Sequence, residues 1–119
     1  MPAMRILVAE DEAMISRLLD RVLSAAGHTV TSVGSCREAL ELLGAPGYDL
    51  VLLDLHLNDG NGMRVIEAMA EGVVAPRPVV LMTGDLVEAD DPRASRADAI
   101  LQKPFDLTQL EHAIERWSA

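Results

Sequence analysis

Polar residues able to do chemistry stand where the apolar runs of this chain stop. Glu10 and Asp11 follow the first run, and Asp54 ends the third. Thr83 ends the fourth run, and Lys103 closely follows the fifth. Lys103 is also the only lysine among ten basic residues, so a compact point charge is kept here while arginine is used everywhere else. Three carboxylates, one hydroxyl and one amine are therefore candidates for a shared site.

The chemistry open to such a set is narrow. Carboxylates that are brought together raise each other's pKa values unless a cation joins them. Oxygen ligands suit Mg²⁺, which takes one or two carboxylates together with water or phosphate oxygens. A carboxylate such as Asp54 can also act as a nucleophile and form an aspartyl phosphate. In that reaction the cation, the Lys103 ammonium and the Thr83 hydroxyl would each take one phosphoryl oxygen.

The elements that position these groups read as five strand–helix units. Strands are predicted at residues 5–9, 29–33, 50–53, 78–82 and 99–101. The first helix carries apolar residues in adjacent pairs, which predict one buried face: Met14, Ile15, Leu18, Leu19, Val22 and Leu23. Capping boxes at Ser35/Glu38 and Asp106/Gln109 begin the second and the last helices. A third helix is predicted at residues 63–70, and His28, after the first helix, is predicted to be exposed.

Strands that alternate with helices indicate a parallel sheet covered on both faces. The first, third and fourth runs are apolar throughout, as central strands are, whereas residues 29–33 alternate as an edge strand does. Right-handed crossovers leave few strand orders, of which 2-1-3-4-5 fits best. Ligands of such sheets bind at the carboxyl ends of the strands, so the polar residues above should meet at one edge.

Composition excludes several classes of protein. The 119 residues are half hydrophobic and suit one folded domain, and no apolar stretch is as long as a membrane span. A net charge of −9 argues against direct binding of nucleic acid. The single cysteine, Cys36, excludes an internal disulfide and suits the reducing cytoplasm, where we expect the protein to be.

The whole chain resembles the receiver domain of response regulators, the phosphoryl-accepting half of bacterial two-component systems. The resemblance lies in motifs that surround the groups described above: Ile6-Leu7-Val8-Ala9-Glu10-Asp11, Leu52-Leu53-Asp54, Gly60-Asn61-Gly62, Met82-Thr83-Gly84 and Lys103-Pro104-Phe105. It implies a flavodoxin-like, doubly wound α/β fold with a five-stranded parallel sheet and five helices. Residues 1–119 would form one receiver domain, with no output domain in this chain.

The resemblance also implies roles for individual residues. Asp54 would accept a phosphoryl group from a histidine kinase or phosphotransfer protein, and Thr83 and Lys103 would hold that group. Mg²⁺ would be bound by Asp11 and Asp54, by Glu10 through water, and by the backbone carbonyl of His56. The Lys103–Pro104 bond would be cis. No membrane partner is implied, and a homodimer formed on activation is one further partner that the resemblance allows.

Three positions depart from the usual family pattern. Asn58 stands where the family usually has proline, so the loop after Asp54 should be less fixed. Ile100 stands where a tyrosine or phenylalanine ring often serves as a switch. Residues 84–98 have little apolar periodicity, and Asp91-Pro92 could begin only a short fourth helix. His56 and Asp85, each two residues beyond a site residue, could modulate the access of water.

A second function on a similar sheet is a Mg²⁺-dependent phosphohydrolase that also uses a strand-end aspartate. Haloacid-dehalogenase-type hydrolases carry a second aspartate two residues after the nucleophile, where this chain has His56, and we find no cap domain to enclose a substrate. A dinucleotide-binding domain is disfavoured because no G-x-G-x-x-G follows the first strand. We therefore expect no turnover of other substrates, only phosphorylation and dephosphorylation of the chain itself.

Overall fold

Five parallel strands form the central sheet, and the three in the middle are buried along most of their length. The computed structural model describes residues 3–87 and 90–118. In chain order its strands are β1 Arg5–Ala9, β2 Thr29–Val33, β3 Leu50–Asp54, β4 His56–Leu57, β5 Gly60–Asn61, β6 Val79–Thr83 and β7 Ala99–Gln102. The sheet order β2-β1-β3-β6-β7 confirms the predicted 2-1-3-4-5, because β4 and β5 pair only with each other.

Helices cover both faces of the sheet, as predicted for a doubly wound fold. They are α1 Ala13–Ala25, α2 Cys36–Leu43, α3 Met63–Ala70, α4 Pro92–Arg96 and α5 Leu107–Ser118. One half of the core lies between the sheet and α2 and α3, and the other lies between the sheet and α1 and α5. None of the helices among the described residues is long and apolar enough to cross a membrane.

The predicted helix starts are confirmed by their hydrogen bonds. The Ser35 hydroxyl accepts from the Glu38 amide and donates to the Glu38 carboxylate. The Asp106 carboxylate accepts from the Gln109 amide, while the Gln109 side chain accepts from the Asp106 amide. Asp91 caps α4, whose first residue is proline and which has only five residues, as the weak pattern of this segment predicted.

Two predictions about burial are wrong. Met14 and Leu18 are 83% and 53% exposed, because only the stripe through Leu19 and Leu23 faces the sheet. Successive residues of a helix are rotated by about 100°, so an apolar residue beside the stripe can point to solvent. His28, predicted to be exposed, is buried, and its Nδ1 atom accepts a hydrogen bond of 3.0 Å from the Met4 amide. A histidine with a satisfied ring nitrogen can be buried at little cost.

The segment after β3 forms a small hairpin rather than an open loop. Strands β4 and β5 pair antiparallel, and the chain then enters α3 through Gly62. The Gly62 amide donates a hydrogen bond of 2.6 Å to the carbonyl of Leu55. A Cβ atom at residue 62 would collide with the backbone carbonyl of Asp54, so glycine is required here by close approach.

We predict that Gly62→Ala destabilises the domain by about 1–3 kcal/mol, the usual cost of overpacking. The backbone at Asp54 must shift to admit the added methyl group. Chemical denaturation monitored by circular dichroism measures the change. Gly84→Ala is the matched control, because a Cβ atom there meets nothing within 4 Å and should change the unfolding midpoint little. Equal stability of the Gly62→Ala variant and the wild type would contradict this reading of the turn.

Candidate functional site

The carboxyl ends of the parallel strands bring the only lysine between two carboxylates. Lys103 Nζ lies 2.5 Å from Glu10 Oε1 and 2.9 Å from Asp54 Oδ2. Glu10 and Asp54 are almost completely buried, and the Lys103 side chain is mostly so. The structure thus joins three of the predicted site residues, which come from the ends of β1, β3 and β7.

Backbone amides orient the remaining carboxylate oxygens. Asp54 Oδ1 accepts a hydrogen bond of 3.0 Å from the His56 amide, and Glu10 Oε2 accepts one of 3.1 Å from the Glu12 amide. In both hydrogen bonds the amide lies two residues after the carboxylate in the chain. The turn that follows each strand therefore orients the carboxylate at the end of that strand. Each acid is therefore fixed on one side by the backbone and on the other by Lys103.

Asp11 completes an acidic cluster that could hold a metal ion. One oxygen each from Glu10, Asp11 and Asp54 can be chosen such that all three lie within 4.8 Å of one another. Hard oxygen donors of this kind fit Mg²⁺ better than softer metals that prefer nitrogen or sulfur. The role of the His56 backbone carbonyl as a further ligand stays a prediction.

The cluster carries an electrostatic cost that a cation would relieve. Burial, followed by the neighbouring Asp54 carboxylate, raises the pKa of Glu10 to about 7, although Lys103 and the Glu12 amide act in the opposite direction. Burial disfavours the charged form of Lys103, but the hydrogen bonds to Glu10 and Asp54 outweigh it and raise the pKa of the amine. Lys103 therefore stays protonated, and a divalent cation would favour the ionised form of Glu10.

Thr83 ends β6 beside β3 and is completely buried. Its hydroxyl oxygen accepts a hydrogen bond of 2.9 Å from the Asp85 amide. Its carbonyl accepts from the Lys103 amide at 2.8 Å, so the last residues of β6 and β7 are held in register. The same carbonyl and that of Asp85 accept from the Gln102 side chain. A movement of the Thr83 side chain would therefore change the position of Asp85.

A charged network borders the site on the side of α4. His56 Nε2 lies 3.1 Å from Asp85 Oδ2, and Arg93 Nη1 donates to the same oxygen at 2.8 Å. Arg93 also contacts both oxygens of Asp91, the cap of its own helix. These contacts hold the pKa of Asp85 below its usual range, with the Arg93 hydrogen bond as the largest cause. The two residues predicted to modulate the site, His56 and Asp85, thus contact each other.

Pro104 and Ile100, which the sequence analysis also named, lie within three residues of Lys103 in the chain. The Lys103–Pro104 bond is cis, as the resemblance implied. Ile100 is half-buried in β7 and packs against the core half that contains α2 and α3.

Asp59 and Arg93 were not identified from the sequence. Asp59 lies in a segment that the sequence predicts only as a loop, and Arg93 follows the Asp91-Pro92 helix start without any motif of its own.

Comparisons with known proteins identify the family of this chain. A family model described as the response regulator receiver domain matches residues 6–115. The transcriptional regulatory protein TcrA of Mycobacterium tuberculosis is 36% identical over 108 residues, which cover 89% of this chain and 42% of TcrA. The transcriptional regulatory protein PmrA of Pectobacterium parmentieri is 33% identical over 112 residues, which cover 91% of this chain and 49% of PmrA.

Solved structures show the same fold. The response regulator TrrA of Thermotoga maritima, in complex with Mg²⁺ and a beryllium fluoride, matches with a TM-score of 0.84 and 26% identity. The match covers 96% of this chain and 98% of that one. The chain spans about half or less of the length of the curated relatives named above. Because the family model covers nearly the whole sequence, the chain belongs to the response regulator receiver domain family.

Proposed function

We propose that this chain is a phosphorylation-switched module that accepts a phosphoryl group on Asp54 from a histidine kinase or phosphotransfer protein. The observation that carries the proposal is the Asp54 carboxylate, held by Lys103 at 2.9 Å and by the His56 amide at 3.0 Å inside an acidic cluster. An Asp54 oxygen attacks phosphorus and forms the acyl phosphate bond. The P–N bond to the donor imidazole breaks, and its electron pair stays on the nitrogen, which takes up a proton.

The neighbouring residues supply charge and orientation for this transfer. Lys103, which contacts Asp54 before the reaction, is placed to follow the phosphoryl oxygens and to neutralise their charge. The Thr83 hydroxyl would donate to a second oxygen. When bound, Mg²⁺ would supply positive charge to the phosphoryl oxygens. Asp11 and Asp54 would hold it, with Glu10 acting through water, and these three carboxylates lie close together. The backbone carbonyl of His56 would be a further ligand.

The first turns of α1 support a protein as the phosphodonor. Met14 and Leu18 expose apolar side chains and are not among the buried residues of the core. Leu18 also lines a shallow cleft together with Pro104 and Phe105, next to Lys103. Exposed apolar surface that borders a reactive carboxylate is suited to a docked partner rather than to a small free substrate. This surface would bring the donor histidine to Asp54.

A path for the switch leads from Thr83 to α4. If the Thr83 hydroxyl turns to the phosphoryl group, it gives up the hydrogen bond from the Asp85 amide. Asp85 then changes position and acts on Arg93, to which it is bonded at 2.8 Å. Because Ile100 has no ring to move, we propose that this loop and the short α4 carry the signal, and that output leaves by the surface around α4 and β7.

What the signal controls is a further proposal. TcrA and PmrA are transcriptional regulatory proteins, and this chain matches only part of each. We propose that it likewise controls a partner or a linked domain when phosphorylated. The net charge of −9 supports the proposal that these residues do not themselves bind nucleic acid. We also propose that the chain turns over no other substrate, which separates it from the phosphohydrolases.

The first prediction concerns the acceptor. With Mg²⁺ and a small phosphodonor, the wild type should gain one phosphoryl group, and Asp54→Asn should gain none because the amide is not a nucleophile for this step. Intact mass measures the gain, and chelation of the metal should block it without loss of the far-UV circular dichroism signal. Turnover of small phosphoesters with no acyl phosphate would instead favour the phosphohydrolase. A phosphorylated Asp54→Asn variant would refute the assignment.

The second prediction concerns the lone lysine. Lys103→Arg should stay folded but lose most of the phosphorylation-induced change, because a forked guanidinium does not fit the point-charge position between Glu10 and Asp54. Amine labelling of the wild type gives a direct measure of the burial of Lys103, with the N-terminus as the only other primary amine. Wild-type behaviour of the variant would mean that the lysine has no special role.

The third prediction concerns the switch. Addition of beryllofluoride with Mg²⁺ should change hydrogen-exchange protection across residues 84–96, of which residues 88 and 89 lie outside the described residues. Arg93→Ala should keep the mimic bound but lose the change in α4. Arg96→Ala is the matched control, since Arg96 lies on the same helix and pairs with Glu67 instead of Asp85. Unaltered protection in a fully modified wild type would show that output leaves elsewhere.

A further inference from the structure

The carboxylate of Asp59 links the hairpin after Asp54 to the beginning of α2. One of its oxygens accepts a hydrogen bond of 2.8 Å from the Cys36 amide, and the other accepts one of 3.0 Å from the Arg37 amide. Together with Ser35, which accepts from the Glu38 amide, it satisfies the first three amides of the helix. The cap is thus divided between a local residue and one from a different part of the chain.

Further contacts hold Asp59 and the hairpin in place. The Arg64 side chain donates to the carbonyl of Asp59 at 3.2 Å. The Cys36 thiol contacts the carbonyl of Asn61 in β5 at 3.5 Å. The amides of Cys36 and Arg37, in that order, hold the pKa of the Asp59 carboxyl below its usual range. The hairpin is therefore attached to α2 at two points, residues 59 and 61.

The segment that leads into α2 also touches the other half of the acidic cluster. The Glu10 amide donates a hydrogen bond of 3.0 Å to the carbonyl of Val33, the last residue of β2. At the next residue, Gly34, the position of a Cβ atom lies 4.0 Å from the Cα atom of Asp11. The loop from β2 to α2 thus lies between the Glu10–Asp11 pair and the hairpin that follows Asp54.

We propose that Asp59 is a positioning residue that fixes the acceptor hairpin relative to the Glu10–Asp11 pair and so sets the geometry of the metal site. It does this through the amides of α2 and touches neither the metal nor the phosphoryl group. The inference rests on the proposed function only in so far as the acidic cluster binds Mg²⁺.

The competing explanation is that Asp59 is merely a helix cap. Ser35→Ala tests this directly, because it removes the other side-chain cap of α2 and leaves the hairpin contact intact. Asp59→Ala removes both amide contacts. Asp59→Asn removes the same charge but keeps one oxygen that can accept from an amide. Comparison of the two Asp59 variants therefore separates positioning from a simple loss of negative charge.

The experiment is isothermal titration calorimetry of each protein with Mg²⁺ alone, at a physiological ionic strength that screens distant charges. We expect Asp59→Ala to weaken Mg²⁺ binding by about tenfold, as is usual when a residue that orients a metal site is lost. Asp59→Asn should fall between Asp59→Ala and the wild type. Ser35→Ala should lower the melting temperature as Asp59→Ala does, but leave the Mg²⁺ dissociation constant unchanged.

Equal weakening of Mg²⁺ binding in both Asp59 variants would mean that the loss of negative charge alone is responsible. Equal weakening of Mg²⁺ binding in Ser35→Ala would mean that the lower stability of α2 is responsible. Unchanged Mg²⁺ binding in Asp59→Ala would leave Asp59 as a cap. Each of these results overturns the positioning role. A wild type that binds no Mg²⁺ but is phosphorylated on Asp54 would also overturn it, without touching the acceptor assignment. Failure of wild-type phosphorylation with Mg²⁺ binding intact would count against the proposed function alone.

Discussion

Repulsion among carboxylates at one edge of the sheet is the constraint around which the structure is organised. Glu10, Asp11 and Asp54 offer oxygens within 4.8 Å of one another, and two of the three side chains are nearly inaccessible to water. Because water scarcely reaches these two side chains, the protein itself must supply positive charge, and Lys103 supplies it to Glu10 and Asp54. Burial, followed by the neighbouring Asp54 carboxylate, still raises the pKa of Glu10 to about 7. A bound cation would favour the ionised form of this carboxylate.

The pattern of the sequence was sufficient to predict the sheet and most of the residues that meet at its edge. Runs such as residues 50–53 are apolar on both faces, which restricts them to central parallel strands. Parallel strands all present their carboxyl ends on the same side. A polar residue at each end, such as Asp54 or Thr83, therefore identifies one site without knowledge of any distance. The capping boxes are equally local, so both could be predicted from a few adjacent residues.

The remaining features depend on contacts that no local pattern encodes. The exposure of Met14 is decided by which of two adjacent apolar rows of α1 faces the sheet, and residue type does not distinguish them. The burial of His28 depends on the amide of Met4, which lies 24 residues away in the chain. The contacts of Asp59 with α2 and of Arg93 with Asp85 depend on the relative placement of separate elements. Side chains at these positions would have the same sequence signature if they were fully solvated.

The contact between Lys103 and Glu10 joins residues 93 positions apart, from near the two ends of the described chain. Every strand of the central sheet except β2 contributes a residue to this edge, so only a fragment that extends from β1 to beyond β7 contains the three carboxylates together with Lys103. Contacts of such high contact order form late, because loop closure opposes them until most of the chain is ordered. The acidic cluster and its counter-charge are therefore assembled only in the completed fold, and a partly synthesised or partly unfolded chain would lack them.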